Sequence, residues 1–147
     1  MTKQRKNTFG QVMLRLGFVI YVAAMIWLLF GQRWGEEFYR SVNLRPFVTL
    51  RLYWKLLHGE SDYYVRHAFI NLVGNVVMFI PLGFFQPYLM KFLRKWYRTL
   101  FSTAVLILTI ECIQYLTGLG SCDIDDVILN VAGAIIGYIL WRANRRK

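Results

Sequence analysis

The sequence predicts an all-α integral membrane protein, a four-transmembrane-helix bundle with an external amphipathic or re-entrant segment. Three observations predict it. Hydrophobic residues make up 56% of the chain and aromatic residues 17%, and they fall in three or four near-continuous runs that a soluble domain of this size would not carry. The runs approach the ~20 residues that a helix needs to cross a bilayer. The basic residues gather at the ends of the runs. That placement also decides how the net charge of +10 is read. A nucleic-acid partner would call for a solvated basic stripe, and none is expected here. The length bounds the chain at a single transmembrane domain, residues 1–147.

The first span is expected at about 10–30. Arg15 near its start can extend to the interface along its own aliphatic stem. After Phe30 the chain reads Gly-Gln-Arg-Trp-Gly. No small-x-small cleavage site stands there, so this span reads as a retained helix. The second span, about 67–90, is free of Lys, Arg, Asp and Glu. It contains Pro81-Leu-Gly83, which should bend it. The third, about 99–118, holds Glu111 as its one charge. The fourth is expected at about 125–141. Its uncharged part, Val127 to Trp141, has only 15 residues, or about 22 Å at 1.5 Å per residue. Either the bilayer thins there or the helix starts earlier, among Asp123, Asp125 and Asp126. Gly133 and Gly137 in this span have the spacing that lets two helices approach closely.

Lys and Arg counts set the orientation. Twelve of the 18 basic residues lie before or at Arg15, between Lys91 and Arg98, or from Arg142 onward. No acidic residue shares those segments. Both termini are therefore expected in the cytoplasm of a multi-pass cell-membrane protein. The loop 31–66 is then external. Within it, Val48 to Leu57 alternates aromatic and aliphatic residues with Arg51 and Lys55, which suggests an amphipathic segment lying on or dipping into the membrane.

The polar residues of the spans are expected to meet toward the external side. Asn71 and Asn75 lie one turn apart on span two, Glu111 and Gln114 share a face of span three, and Asp126 and Asn130 share a face of span four. Asn and Gln taken singly read as hydrogen-bonding glue between helices. Carboxylates at a common depth are different. Glu111, Asp123, Asp125 and Asp126 repel one another if ionised, so they must be protonated, paired with Arg45 or Arg66, or neutralised by a cation. The favoured reading has no cofactor. The alternative is a divalent cation such as Ca²⁺ or Mg²⁺, which prefers oxygen ligands. Cys112 and Cys122 read as free packing thiols, and His67 as an interfacial residue.

Two blocks of residues carry a family resemblance. The first is Asn71-Leu-Val-Gly-Asn75-Val-Val-Met-Phe79-Ile-Pro81-Leu-Gly83-Phe. The second is Glu111-Cys-Ile-Gln114, followed by Asp123-Ile-Asp125-Asp126-Val-Ile-Leu-Asn130-Val-Ala-Gly133 and Gly137. With Asn43-Leu-Arg-Pro46-Phe47 in the external loop, their order and spacing resemble the VanZ-like membrane protein family. The resemblance implies a contribution to glycopeptide resistance of the teicoplanin type. Arg45 and Cys122 depart from the family pattern.

Three functions follow. The favoured one is a non-enzymatic envelope protein whose outward-facing polar pocket binds a membrane-lipid headgroup, a lipid-linked wall precursor or a lipoglycopeptide. The pocket would be formed by Glu111, Gln114, Asp123, Asp125, Asp126, Asn130, Asn71, Asn75, Arg45 and Arg66. The second is an intramembrane enzyme using paired carboxylates on a lipid-linked substrate. No His-x-x-x-His, Ser-His or Cys-His set supports it. The third is a proton-coupled transporter with Glu111 as carrier, which would require an oligomer to form a path.

Overall fold

The computed structural model describes residues 3–31, 39–58 and 62–145. The chain divides into two compact units, Met1–Gly35 and Glu36–Lys147. The first is a single helix, α1 (Lys3–Phe30). Apolar side chains such as Phe9, Val19, Ile20 and Trp27 stand exposed along it, as expected of a helix solvated by lipid.

The second unit begins with β1 (Tyr39–Asn43) and a short helix, α2 (Val48–Leu57). Three long helices follow: α3 (Asp62–Leu89), α4 (Trp96–Thr117) and α5 (Ile124–Asn144). A 3-10 turn, Lys91–Arg94, joins α3 to α4. Strand β2 (Leu119–Asp123) joins α4 to α5 and pairs in parallel with β1, from Tyr39 opposite Leu119 to Asn43 opposite Asp123. Among the described residues four helices, counting α1 from Phe9, are long and apolar enough to cross a membrane, as the sequence predicts.

The boundaries differ from expectation in three places. Span two starts at Asp62, so residues 62–66 are helical and not part of the loop. Asp62 in the first turn complements the helix dipole. Span three starts at Trp96. Span four starts at Ile124 and runs to Asn144, 21 residues in all. That is about 32 Å, enough for a bilayer core. The early start brings Asp125 and Asp126 into the first turn of α5, where the dipole favours negative charge.

α2 forms where the amphipathic segment was expected. None of its residues is buried, and it rests against α3 and α5. The pairing of β1 with β2 was not legible in the sequence. α4 stops because Gly118 adopts a left-handed conformation (φ 70°), which a glycine takes without steric cost. The chain then leaves the helix extended and meets β1.

α3 and α5 are the most intimately packed pair. Three glycines account for this. A Cβ at Gly133 would fall on the carbonyl oxygen of Val76, one at Gly137 on that of Ile80, and one at Gly83 on that of Ala134. Backbone therefore lies directly on backbone. Pro81 and Pro87 are both inside α3, which continues through them. Membrane helices tolerate proline when neighbours compensate the freed carbonyls.

Candidate functional site

The polar site forms at the end of the second unit where α2 lies over the start of α5. Its centre is Asp125, which is fully buried. Helix α2 lacks a local cap: the residue before it is Phe47, whose side chain accepts nothing. The first N–H groups of a helix need acceptors, and Asp125 supplies them from another helix. Its Oδ1 accepts from the Phe47 N–H at 2.6 Å, and its Oδ2 from the Thr49 and Leu50 N–H groups at 2.8 and 3.1 Å. Both carboxylate oxygens are thus engaged by backbone donors. Phe47 is the non-glycine residue with positive φ, 67°, a conformation that costs roughly 1–2 kcal/mol for an L-residue. The bond from Phe47 N–H to Asp125 holds it there.

Asp123 caps the other helix. Its Oδ1 accepts from the Asp125 N–H at 2.8 Å, the N-cap bond of α5. The same oxygen accepts from Asn43 Nδ2 at 3.1 Å, and Oδ2 accepts from the Thr49 hydroxyl at 2.5 Å. Asn43 Nδ2 also donates to Thr49 Oγ1 at 3.1 Å. Glu111, buried on α4, accepts from the Asp123 N–H at 3.2 Å through Oε2. One connected network therefore ties β1, α2, α4, β2 and α5 together.

A second set of residues lies further along α5. Asn75 of α3 donates to Asp126 Oδ1 at 2.6 Å, bridging α3 and α5. One turn on, Asn130 is buried, and its Oδ1 has no hydrogen-bond partner among the described residues. Unmatched buried acceptors are rare, and each calls for an explanation. Gln114 is buried on α4, one turn after Glu111.

The structure therefore brings most of the expected residues to one end of the unit and divides their roles. Asn71 bonds within its own helix, its Nδ2 to the His67 ring Nδ1 at 2.9 Å. The expected arginine pairing is not found. Among the described residues neither Arg45 nor Arg66 forms an ion pair, and both are exposed. Arg45 contributes only its backbone N–H, to Asn43 Oδ1 at 3.2 Å. The physical reason at Asp123 and Asp125 is that backbone N–H groups, the Thr49 hydroxyl and the Asn43 amide already occupy the oxygens that an arginine would have met. Among the described residues no three His, Cys, Asp or Glu side chains are grouped to hold a metal ion.

Asn43 and Thr49 complete the network and were not read as site residues. The available signal was the missing cap: a helix starting at Val48 after Pro46-Phe47 has no Ser, Thr, Asp or Asn before it, so its acceptor must come from elsewhere. Cys112 and Cys122 are both free thiols. Burial, and then the charge of Glu111, push the Cys122 thiol above its ordinary range, so it is a poor nucleophile at neutral pH. A further polar layer, Gln86 with Thr103 at 3.1 Å and Ser102 at 3.5 Å, joins α3 to α4 nearer their other ends.

The sequence pattern of the VanZ/LLP1 family matches residues 16–145. The chain is 30% identical over 141 residues to Protein VanZ of Enterococcus faecium, covering 90% of this chain and 75% of the relative. No solved structure matches it. The glycines that bring α3 onto α5, the capping aspartates and Glu111 all lie inside the matched region, and the chain belongs to the VanZ/LLP1 family.

Proposed function

We propose that this membrane protein lowers susceptibility to teicoplanin-type glycopeptides by binding, at its polar end, the hydroxyl-rich headgroup of a lipid-linked wall precursor or lipoglycopeptide. The carrying observation is the unfilled Oδ1 of buried Asn130, one turn from the Asn75–Asp126 bridge. Asp123 and Asp125 are committed to the chain's own N–H and O–H donors. Asn130 offers an acceptor to an incoming hydroxyl or amide, beside the Asn75–Asp126 bridge. A catalytic reading is less well supported, because carboxylates locked to fixed backbone donors are poorly placed to exchange protons with a substrate.

The test is a susceptibility assay on cells expressing Asn130→Ala, Glu111→Gln or Asp126→Asn, with the amount of membrane-inserted protein measured in parallel. Reduced protection at unchanged accumulation is expected for all three. Wild-type protection in all three would reduce the cluster to helix-joining glue.

The reading requires the polar end to face outward. The basic residues at both termini and in the turn between α3 and α4 support a cytoplasmic side for those segments. Reporter fusions inserted between His58 and Asp62, and after Lys147, are expected to report opposite sides, with the second cytoplasmic. An extracellular C-terminus would put the polar end on the wrong face.

A further inference from the structure

The opposite end of the second unit holds a different site. A cavity of about 430 Å³ opens among Arg94, Lys95, Arg142, Arg145, Trp96 and Trp141, and none of its lining residues is acidic. It lies about 20 Å along α5 from Asp125, counted to Tyr138 at 1.5 Å per residue. Two packing features shape it. The Tyr138 hydroxyl donates to the Arg94 carbonyl at 2.8 Å and fastens the 3-10 turn to α5. The Arg145 guanidinium stands over the Trp141 ring, 5.5 Å from its centre.

Three independent properties point to an anionic ligand. Four cations share one concave wall, and none of them forms an ion pair among the described residues. Arg94 Nε is buried without a hydrogen-bond partner among the described residues. Finally, α4 begins here with no side-chain cap and no acidic residue in its first turn. Its intrahelical bonds begin with the Arg98 and Thr99 N–H groups, both to Lys95 O. The N–H groups of Trp96 and Tyr97 are therefore available to a phosphate.

We propose that this cavity binds the phosphodiester headgroup of an anionic glycerophospholipid. Its size lies in the range of small-ligand sites, ~300–1,000 Å³. A lipid is favoured over a free phosphate because Trp96 and Tyr97, 59% and 47% accessible, line it at the start of α4. Aromatic rings in that position belong at the level of the lipid headgroups. Arg and Lys scattered at helix ends would attract anionic lipid only diffusely. Here they converge on one pocket with amide donors and stacking rings.

Full-length protein in detergent is titrated with phosphatidylglycerol, phosphatidylcholine and inorganic phosphate, following thermal stability and lipid retention in native mass spectrometry. Phosphatidylglycerol is expected to stabilise and to stay bound, and phosphatidylcholine and inorganic phosphate to do neither. The R142Q/R145Q variant should weaken phosphatidylglycerol binding by about fivefold per lost cation, or ~25-fold. Both residues are exposed, so the variant removes no buried side chain. The K91Q variant removes an exposed cation outside the pocket and should bind as wild type. Equal binding of phosphatidylcholine, or equal effects of K91Q and R142Q/R145Q, would overturn the site. Inorganic phosphate matching the lipid would overturn the lipid assignment.

Discussion

Replacing Asp125 by asparagine is expected to destabilise the protein almost as much as replacing it by alanine. An amide has nearly the size and shape of the carboxylate, so it would preserve an interaction that depended on packing. Asp125, however, accepts hydrogen bonds through both oxygens, from Phe47, Thr49 and Leu50. In asparagine one of those positions carries an NH₂ group. It would point a donor at backbone donors, and at least one N–H would lose its acceptor. Loss of a helix cap costs about 0.5–2 kcal/mol, and a buried group left unpaired about 1–3 kcal/mol. A loss of ~1–3 kcal/mol is therefore expected for either variant. The damage should be local first: amide hydrogen exchange across Val48–Leu57 should rise sharply, while α4 stays protected. Asn that preserved wild-type protection of α2 would mean that the carboxylate is a packing element and not the cap.

The bundle was legible because membrane physics leaves strong marks on sequence. Apolar runs gave the four spans, Gly133 and Gly137 gave the close helix contact, and the pattern around Arg51 and Lys55 gave α2. The convergence of Glu111, Asp123, Asp125, Asp126 and Asn75 could also be read, from helix periodicity and direction. What could not be read was how the charges are satisfied. Charge counting looks for counterions, so Arg45 and Arg66 were the natural partners. The structure uses backbone N–H groups at Asp125, which every residue but proline has and no composition reveals, and neutral side-chain donors at Asp123 and Asp126. The strand pair escaped for a related reason. β1 and β2 are five residues each and separated by half of the chain, and neither has an alternation that marks it. Their pairing depends on where the helices deliver the chain ends. The bond from Asn71 to His67, one turn back on the same helix, is a local partner that a shared face with Asn75 does not reveal.

The glycines of the α3–α5 contact make the second large prediction, with a control built into the same helix. Gly74 and Gly83 are both in α3. A Cβ at Gly74 meets nothing within 4 Å, whereas one at Gly83 meets the Ala134 carbonyl. Gly74→Ala should therefore be neutral or stabilising, since alanine favours a helix over glycine by about 1 kcal/mol. Gly83→Ala and Gly137→Ala carry the same propensity gain and should still be destabilising. At Gly137 the new methyl would meet the Ile80 carbonyl and lie 2.8 Å from the Phe84 nitrogen. Backbone atoms of a packed helix cannot rotate aside as a flexible side chain would. The helices must separate, and overpacking typically costs about 1–3 kcal/mol or more. The separation would also stretch the Asn75–Asp126 bond that crosses the same interface. Thermal unfolding in detergent is expected to order the variants as Gly74→Ala at or above wild type, then Gly83→Ala and Gly137→Ala well below. Gly137→Ala as stable as Gly74→Ala would show that α3 and α5 do not rest backbone against backbone.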